Sequence, residues 1–266
     1  LGRTYDLMSA LCIPALALLW SWPCLLTQAS FQLSFLAAGA VAFPGSFLIR
    51  RFKARGLFQT LLVSASIQAA TAPAVLYHSF ELPVYGILLN LLVIPLMTYV
   101  VVSGLLGLAA SLFSMKAGAA LLGGAHYILG LYKAMGEGTQ RLPGASLVVG
   151  RPSLAAMVLF LAGAFLGILL ASRTLEQRRS RPQAFLILCL FWAGSVFFFF
   201  PPPRNGLSAV FLDVGQGDGI FLACGGRTML MDCGSSQEKE LGKDCLVPFL
   251  KSRGVDRLDT VFISHG

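Results

Sequence analysis

The polar tail of this 266-residue chain holds three carboxylates and one histidine where strands should end. Asp213 and Asp218 frame a Gly-Gln-Gly turn in "FLDVGQGDGIFL", with Gln216 at its centre. Asp232 closes "MLMDCG", and His265 closes "VFISHG". Open α/β sheets gather such groups at strand ends to build sites. A neutral imidazole with carboxylates suits Zn²⁺ or Mn²⁺, and an ion of that kind activates water for hydrolysis. A catalytic metal takes about three protein ligands. His265 is the only histidine of the tail, so spacing leaves a second reading open, with Asp213 and Asp232 as turn caps.

The elements that would carry these residues follow from periodicity. After Pro201, Pro202 and Pro203, apolar residues alternate. That pattern predicts strands over 208–214, 219–224 and 227–232, with a tight turn at 224–226. Leu246, Phe249 and Leu250 then recur at helical spacing, and Gly254 closes the helix. Residues 258–263 read as a further strand. The order strand, strand, strand, helix, strand opens a layered α/β sandwich.

Upstream of the prolines the chain is of another kind. It is 56% hydrophobic and 12% charged, against about 25% charged in an ordinary globular domain. Seven apolar segments are expected, at 7–26, 31–49, 57–77, 84–113, 117–135, 154–172 and 184–200. Most approach the ~20 residues of a membrane span, and backbone in lipid must satisfy its own hydrogen bonds, so they should be helices. The expected organisation is an all-α membrane domain over 1–200, a linker over 201–206, and an incomplete α/β domain over 207–266.

The net charge of +8 is unevenly placed, with +9 over residues 1–200 and −1 over residues 201–266. Basic loops at 50–55 and 173–181 mark the cytoplasmic side. Four segments lie between them, which places the tail outside the cytoplasm; the glycine-rich segment 117–135 is the weakest of the four. Gln28, Gln32, Gln59, Gln68, Asn90 and His126 are polar groups at membrane depth, each suited to interhelical hydrogen bonding. Asn90 stands about one turn before Pro95, and a proline-broken helix often flanks a translocation path. His78 and Glu81 should be solvated loop residues. Cys12, Cys24 and Cys189 should be buried thiols, while Cys224, Cys233 and Cys245 leave one thiol over if any two pair.

The stretches "FLDVGQGDGIFL", "MLMDCG" and "VFISHG" resemble the start of the metallo-β-lactamase domain of ComEC-type competence proteins. "GRTYD", "SFQLSFLA", "NLLVIPL" and the triproline resemble the membrane domain of the same family. The resemblance implies a bacterial inner-membrane, multi-pass protein. It implies transport of single-stranded DNA in natural transformation, with membrane lipid and other DNA-uptake proteins as partners. It implies a metallo-β-lactamase fold, in which His265 takes the first position of a His-x-Asp-x-Asp-His metal motif. Asp213, Gln216, Asp218 and Asp232 would support that site. Zn²⁺ or Mn²⁺ would be the cofactor of the whole protein and not of this chain, which stops one residue after His265 and reads as an internal piece. Two other expectations compete: a membrane-anchored metallohydrolase, and a non-functional gene fragment. An anchor needs one helix, and seven argue against it.

Overall fold

The structure, a computed structural model, describes residues 7–176, 181–200, 206–235 and 240–264. Each apolar segment named above is helical, but the expectation of seven spans narrows. Among the described residues four helices are long and apolar enough to cross a membrane: Ala29–Phe52, Leu57–Ser79, Gly86–Ser111 and Leu154–Ala171. The apolar stretch Ser9–Ser21 is shorter. The chain divides into two units, one of residues 1–71 and 83–147, the other of residues 72–82 and 148–266.

In the first unit, α1 (Leu7–Ser21) ends in a 3-10 turn, and α2 (Ala29–Ala40) continues through a π-helical turn into α3 (Ser46–Phe52). Pro44 lies inside that turn. Proline has no N–H to give the carbonyl four residues back, so the helix widens there instead of breaking. Ser46 adds a hydroxyl bond to the Ala42 carbonyl at 2.6 Å. α3 stops at Lys53, whose φ of 48° puts it in the left-handed region. Arg50 and Arg51 occupy its last turn, where cations complement the helix dipole. Phe52 is buried and meets Phe58, on α4 (Leu57–Ser79), edge-on at 6.2 Å.

After β1 (Glu81–Pro83) come α5 (Gly86–Ser111) and α6 (Met115–Gln140). The connection is three residues long, so the two helices pack as an antiparallel pair. Small residues let them approach. A Cβ on Gly118 would lie 2.8 Å from the Ser111 Cβ and 2.9 Å from the Gly107 carbonyl oxygen. α5 runs through Pro95 without interruption, so the expected break is absent. Pro95 denies the Leu91 carbonyl its intrahelical donor, while the Tyr132 hydroxyl donates to the neighbouring Val93 carbonyl at 2.9 Å.

β2 (Ser146–Val148) pairs with β1 and leads to α7 (Leu154–Glu176) and α8 (Arg181–Val196). In the second unit the core gathers Ala72, Leu76, Val149, Ala156, Phe160 and Phe199. Gly167 admits α8, since a Cβ there would sit 2.7 Å from that of Phe191. Cys12, Cys24 and Cys189, expected to be buried, are exposed. Exposed thiols on apolar helices fit faces that meet lipid.

The tail folds into β3 (Leu207–Phe211), β4 (Ile220–Cys224), β5 (Arg227–Met231), α9 (Val247–Ser252) and β6 (Thr260–Phe262). The sheet order is β3-β4-β5-β6. The first three strands are antiparallel, and β6 runs parallel to β5. α9 supplies the crossover that parallel pairing needs. One face carries Phe221 and Leu230, both buried, and Phe249 of α9 meets Phe221 edge-on at 5.3 Å. On the other face Leu207 and Phe211 are exposed. The order strand, strand, strand, helix, strand is the predicted one.

α9 is tied to the rest of its unit. Lys251 pairs with Glu81 at 2.8 Å, each side chain about a third exposed or less. Glu81 is therefore not the solvated loop residue that its position suggested. The Arg151 N–H donates to the Ser252 carbonyl at 2.9 Å, and the Arg151 guanidinium lies over the Tyr77 ring at 4.9 Å.

Candidate functional site

Sheet register brings the chemistry-bearing loops to one end. Phe211 pairs with Ile220, Ile220 with Met231, and Met231 with Phe262. Just beyond this row lie Asp213, Asp218, Asp232 and Ser264. His265 is outside the described residues.

The first loop is closed by the Leu212 N–H on the Gly219 carbonyl at 2.8 Å. Val214, only 3% exposed, anchors it from below, and Gly215 takes a φ of 72°, which favours glycine. Asp213, Gln216 and Asp218 are left exposed around the turn. The predicted first strand stops at Phe211 instead of residue 214 because Val214 is drawn into this turn.

The second loop follows β5 and touches the first. Gly217 and the Gly234 carbonyl are so close that a Cβ on Gly217 would overlap that oxygen; it would also lie 3.2 Å from the Ser235 Cα. Asp232 has a φ of 51°, a conformation that aspartate tolerates better than most residues. Its N–H donates to the Phe262 carbonyl at 2.8 Å. Its Oδ1 accepts the Ser264 N–H, also at 2.8 Å. Asp232 therefore clamps the end of β6 to the end of β5, directly before His265.

Replacing Asp232 by alanine should remove that acceptor and strain the left-handed backbone, at a cost of about 1 kcal/mol. Asparagine tolerates the conformation and keeps a weaker acceptor. Hydrogen exchange at Ser264 should therefore rise for Asp232→Ala and less for Asp232→Asn. Equal protection in all three proteins would show that the clamp does not hold the strand.

The carboxylates share an end of the sheet but not a ligand set. Among the described residues no group of three or more His, Cys, Asp or Glu side chains could hold a metal, and one Asp232 oxygen is spent on a backbone N–H. The described residues do not fit a metal centre. Cys233, beside Asp232, has its thiol pKa raised by burial and by the nearby Cys245. No disulfide joins the described cysteines.

The polar groups of the helices do not converge either. Gln32 donates to the Leu26 carbonyl at 2.8 Å, in the 3-10 turn just before its own helix, and Gln68 to the Pro83 carbonyl at 2.9 Å, in β1; neither bond joins two membrane helices. Gln59 and His126 are exposed, Asn90 is half-buried, and Pro95 is exposed. Sequence reasoning missed Glu81, Arg151 and Lys251, whose partners lie 74 to 170 residues away in the chain. No local pattern signals them.

Residues 1–174 match the family described as Competence protein. The chain is also 25% identical, over 276 aligned residues, to ComE operon protein 3 of Bacillus subtilis (strain 168). That alignment takes in 97% of the chain and 34% of the relative, so the chain spans about a third of that protein's length. No solved structure matches the chain.

Proposed function

The chain belongs to the competence protein family, and on that premise we propose that it helps conduct single-stranded DNA across the bacterial cytoplasmic membrane during natural transformation. The observation that carries this reading is the extent of the family match, which runs over the helices as far as residue 174. α5 supports it: the helix is apolar along its length, and only 6% of its most apolar stretch is buried in the chain. Away from the face that packs on α6, the helix can meet lipid or a path. Asn90 and Pro95 are the candidates on that path.

In the same reading the turn at 50–55 faces the cytoplasm and the α/β tail lies outside, by the excess of Lys and Arg in short inside loops. The tail would be the start of a metallo-β-lactamase-like domain. Degradation of the other DNA strand with Zn²⁺ or Mn²⁺ is proposed for the whole protein. Within it Asp232 would set the position of His265 through the Ser264 N–H, and Asp213, Gln216 and Asp218 would line the neighbouring turn.

The test is cysteine substitution at each of residues 88–97 within the whole gene, in a transformable host. A water-soluble thiol reagent should label one helical face that includes position 90, and DNA in transit should block it. Asn90→Leu should lower transformation by roughly tenfold, as loss of a functional polar group at membrane depth would. Uniform protection together with full transformation by Asn90→Leu would overturn the reading.

A further inference from the structure

Three arginines used by none of the arguments above meet at the other end of the sheet. A pocket of about 360 Å³ lies there, lined among others by Gly206, Arg227, Arg253, Asp256, Arg257 and Asp259. This is the hairpin end, where Cys224 pairs with Arg227, opposite the carboxylate loops.

Part of this charge is already committed. Asp259 accepts the Thr228 N–H at 2.8 Å and stands 3.8 Å from Arg257. Those contacts, the Thr228 N–H first, together with the nearby charge of Arg227 hold its carboxyl below the usual range. Arg253 lies over the Phe249 ring at 5.5 Å. Neither Arg227 nor Arg253 forms an ion pair among the described residues. Arg227, Arg253 and Arg257 therefore line the pocket against Asp256 and Asp259, an excess of one positive charge. A guanidinium presents a planar fork of donors that matches phosphate oxygens.

The surroundings of the pocket decide which phosphate. Gly206 follows closely on the apolar run that ends at Phe200. Gly254, also in the lining, packs against Gly150, where a Cβ would sit 3.0 Å from the Gly254 nitrogen. The next residue, Arg151, donates its N–H to the Ser252 carbonyl at 2.9 Å. Three residues on begins Leu154–Ala171, apolar enough to cross a membrane. The pocket is therefore tied to the N-terminal end of a helix long and apolar enough to span a membrane.

We propose that this pocket binds the phosphodiester of an anionic phospholipid headgroup and so holds the hairpin end of the tail against the bilayer. Guanidinium groups held near a bilayer surface are attracted to anionic headgroups. A nucleic-acid strand would call for an extended basic groove, whereas this site is a bounded pocket with Asp256 in its lining. The proposal does not depend on the transport reading.

The experiment is native mass spectrometry of the full chain in detergent, with phosphatidylglycerol and phosphatidylcholine added in equal amounts. Phosphatidylglycerol should be retained roughly tenfold over phosphatidylcholine. The double variant Arg227→Gln, Arg253→Gln should lose that preference, and Arg227→Lys, Arg253→Lys should keep most of it. Matching thermal midpoints in lipid-free detergent, for at least one double variant, establish that folding is intact. A parallel titration uses a fluorescent single-stranded oligonucleotide. Equal retention of the two lipids would overturn the proposal. So would unchanged phosphatidylglycerol retention in the glutamine variant, or oligonucleotide binding that the variant alone abolishes.

Discussion

Phe160→Ala should lower the unfolding free energy of the chain by about 3 kcal/mol, toward the low end of the range for a buried phenylalanine. Phe160 is fully buried, and its ring lies 4.5 Å from that of Phe199, tilted by 33°. Around it lie Leu76 of α4 and Val149, both of them buried. Where the unfolded helix would expose the ring to lipid instead of water, the transfer contribution shrinks. The lost dispersion contacts and the cavity remain. Phe165, on the same helix but 54% exposed, supplies the comparison. Its alanine variant should cost under about 1 kcal/mol, because it leaves no cavity. Reversible denaturation of the purified chain in detergent micelles measures both. Equal costs would mean that the cluster around Phe160 is not the core of this unit.

Gly217→Ala should separate the two loops that bear Asp213, Asp218 and Asp232, at a cost of about 2 kcal/mol, as for other overpacked sites. The new methyl would meet backbone, the Gly234 carbonyl, and not the flexible end of a side chain. One of the loops has to move. Gly225, in the β4–β5 turn, makes the useful contrast. It has open space around it but a φ of 56°. Alanine there pays only for conformation, about 1 kcal/mol. In hydrogen exchange, Gly217→Ala should deprotect residues 213–219 and 232–235 together, whereas Gly225→Ala should leave both loops as they are. A Gly217→Ala protein with wild-type stability and protection would show that the loops do not touch.

The contrast between these two glycines marks the limit of reading the chain by pattern. Both stand in turns, and both are glycine for reasons the sequence does not distinguish. One answers to its own φ, a local property. The other answers to a carbonyl 17 residues further on. The carboxylates behave alike. That Asp213, Asp218 and Asp232 stand at strand ends follows from the alternation of apolar residues. That Asp232 spends an oxygen on Ser264 depends on β6 lying parallel beside β5, which the alternation does not state.

What the sequence by itself determined is what the chain can satisfy locally. Runs of about 20 apolar residues become helices because each backbone bond closes within four residues. The order of strands and helix in the tail belongs to the same class. So does the family, through motifs that are short and contiguous. The tertiary structure alone decided which surfaces meet. Period-two and period-3.6 patterns say that a face will be covered, not by what. The Cys12, Cys24 and Cys189 thiols were expected inside and lie outside for that reason. Glu81 found Lys251, and Arg227 came to share a pocket with Arg253, because packing brings together residues that are remote in the chain. Those contacts are set by shape and charge in three dimensions.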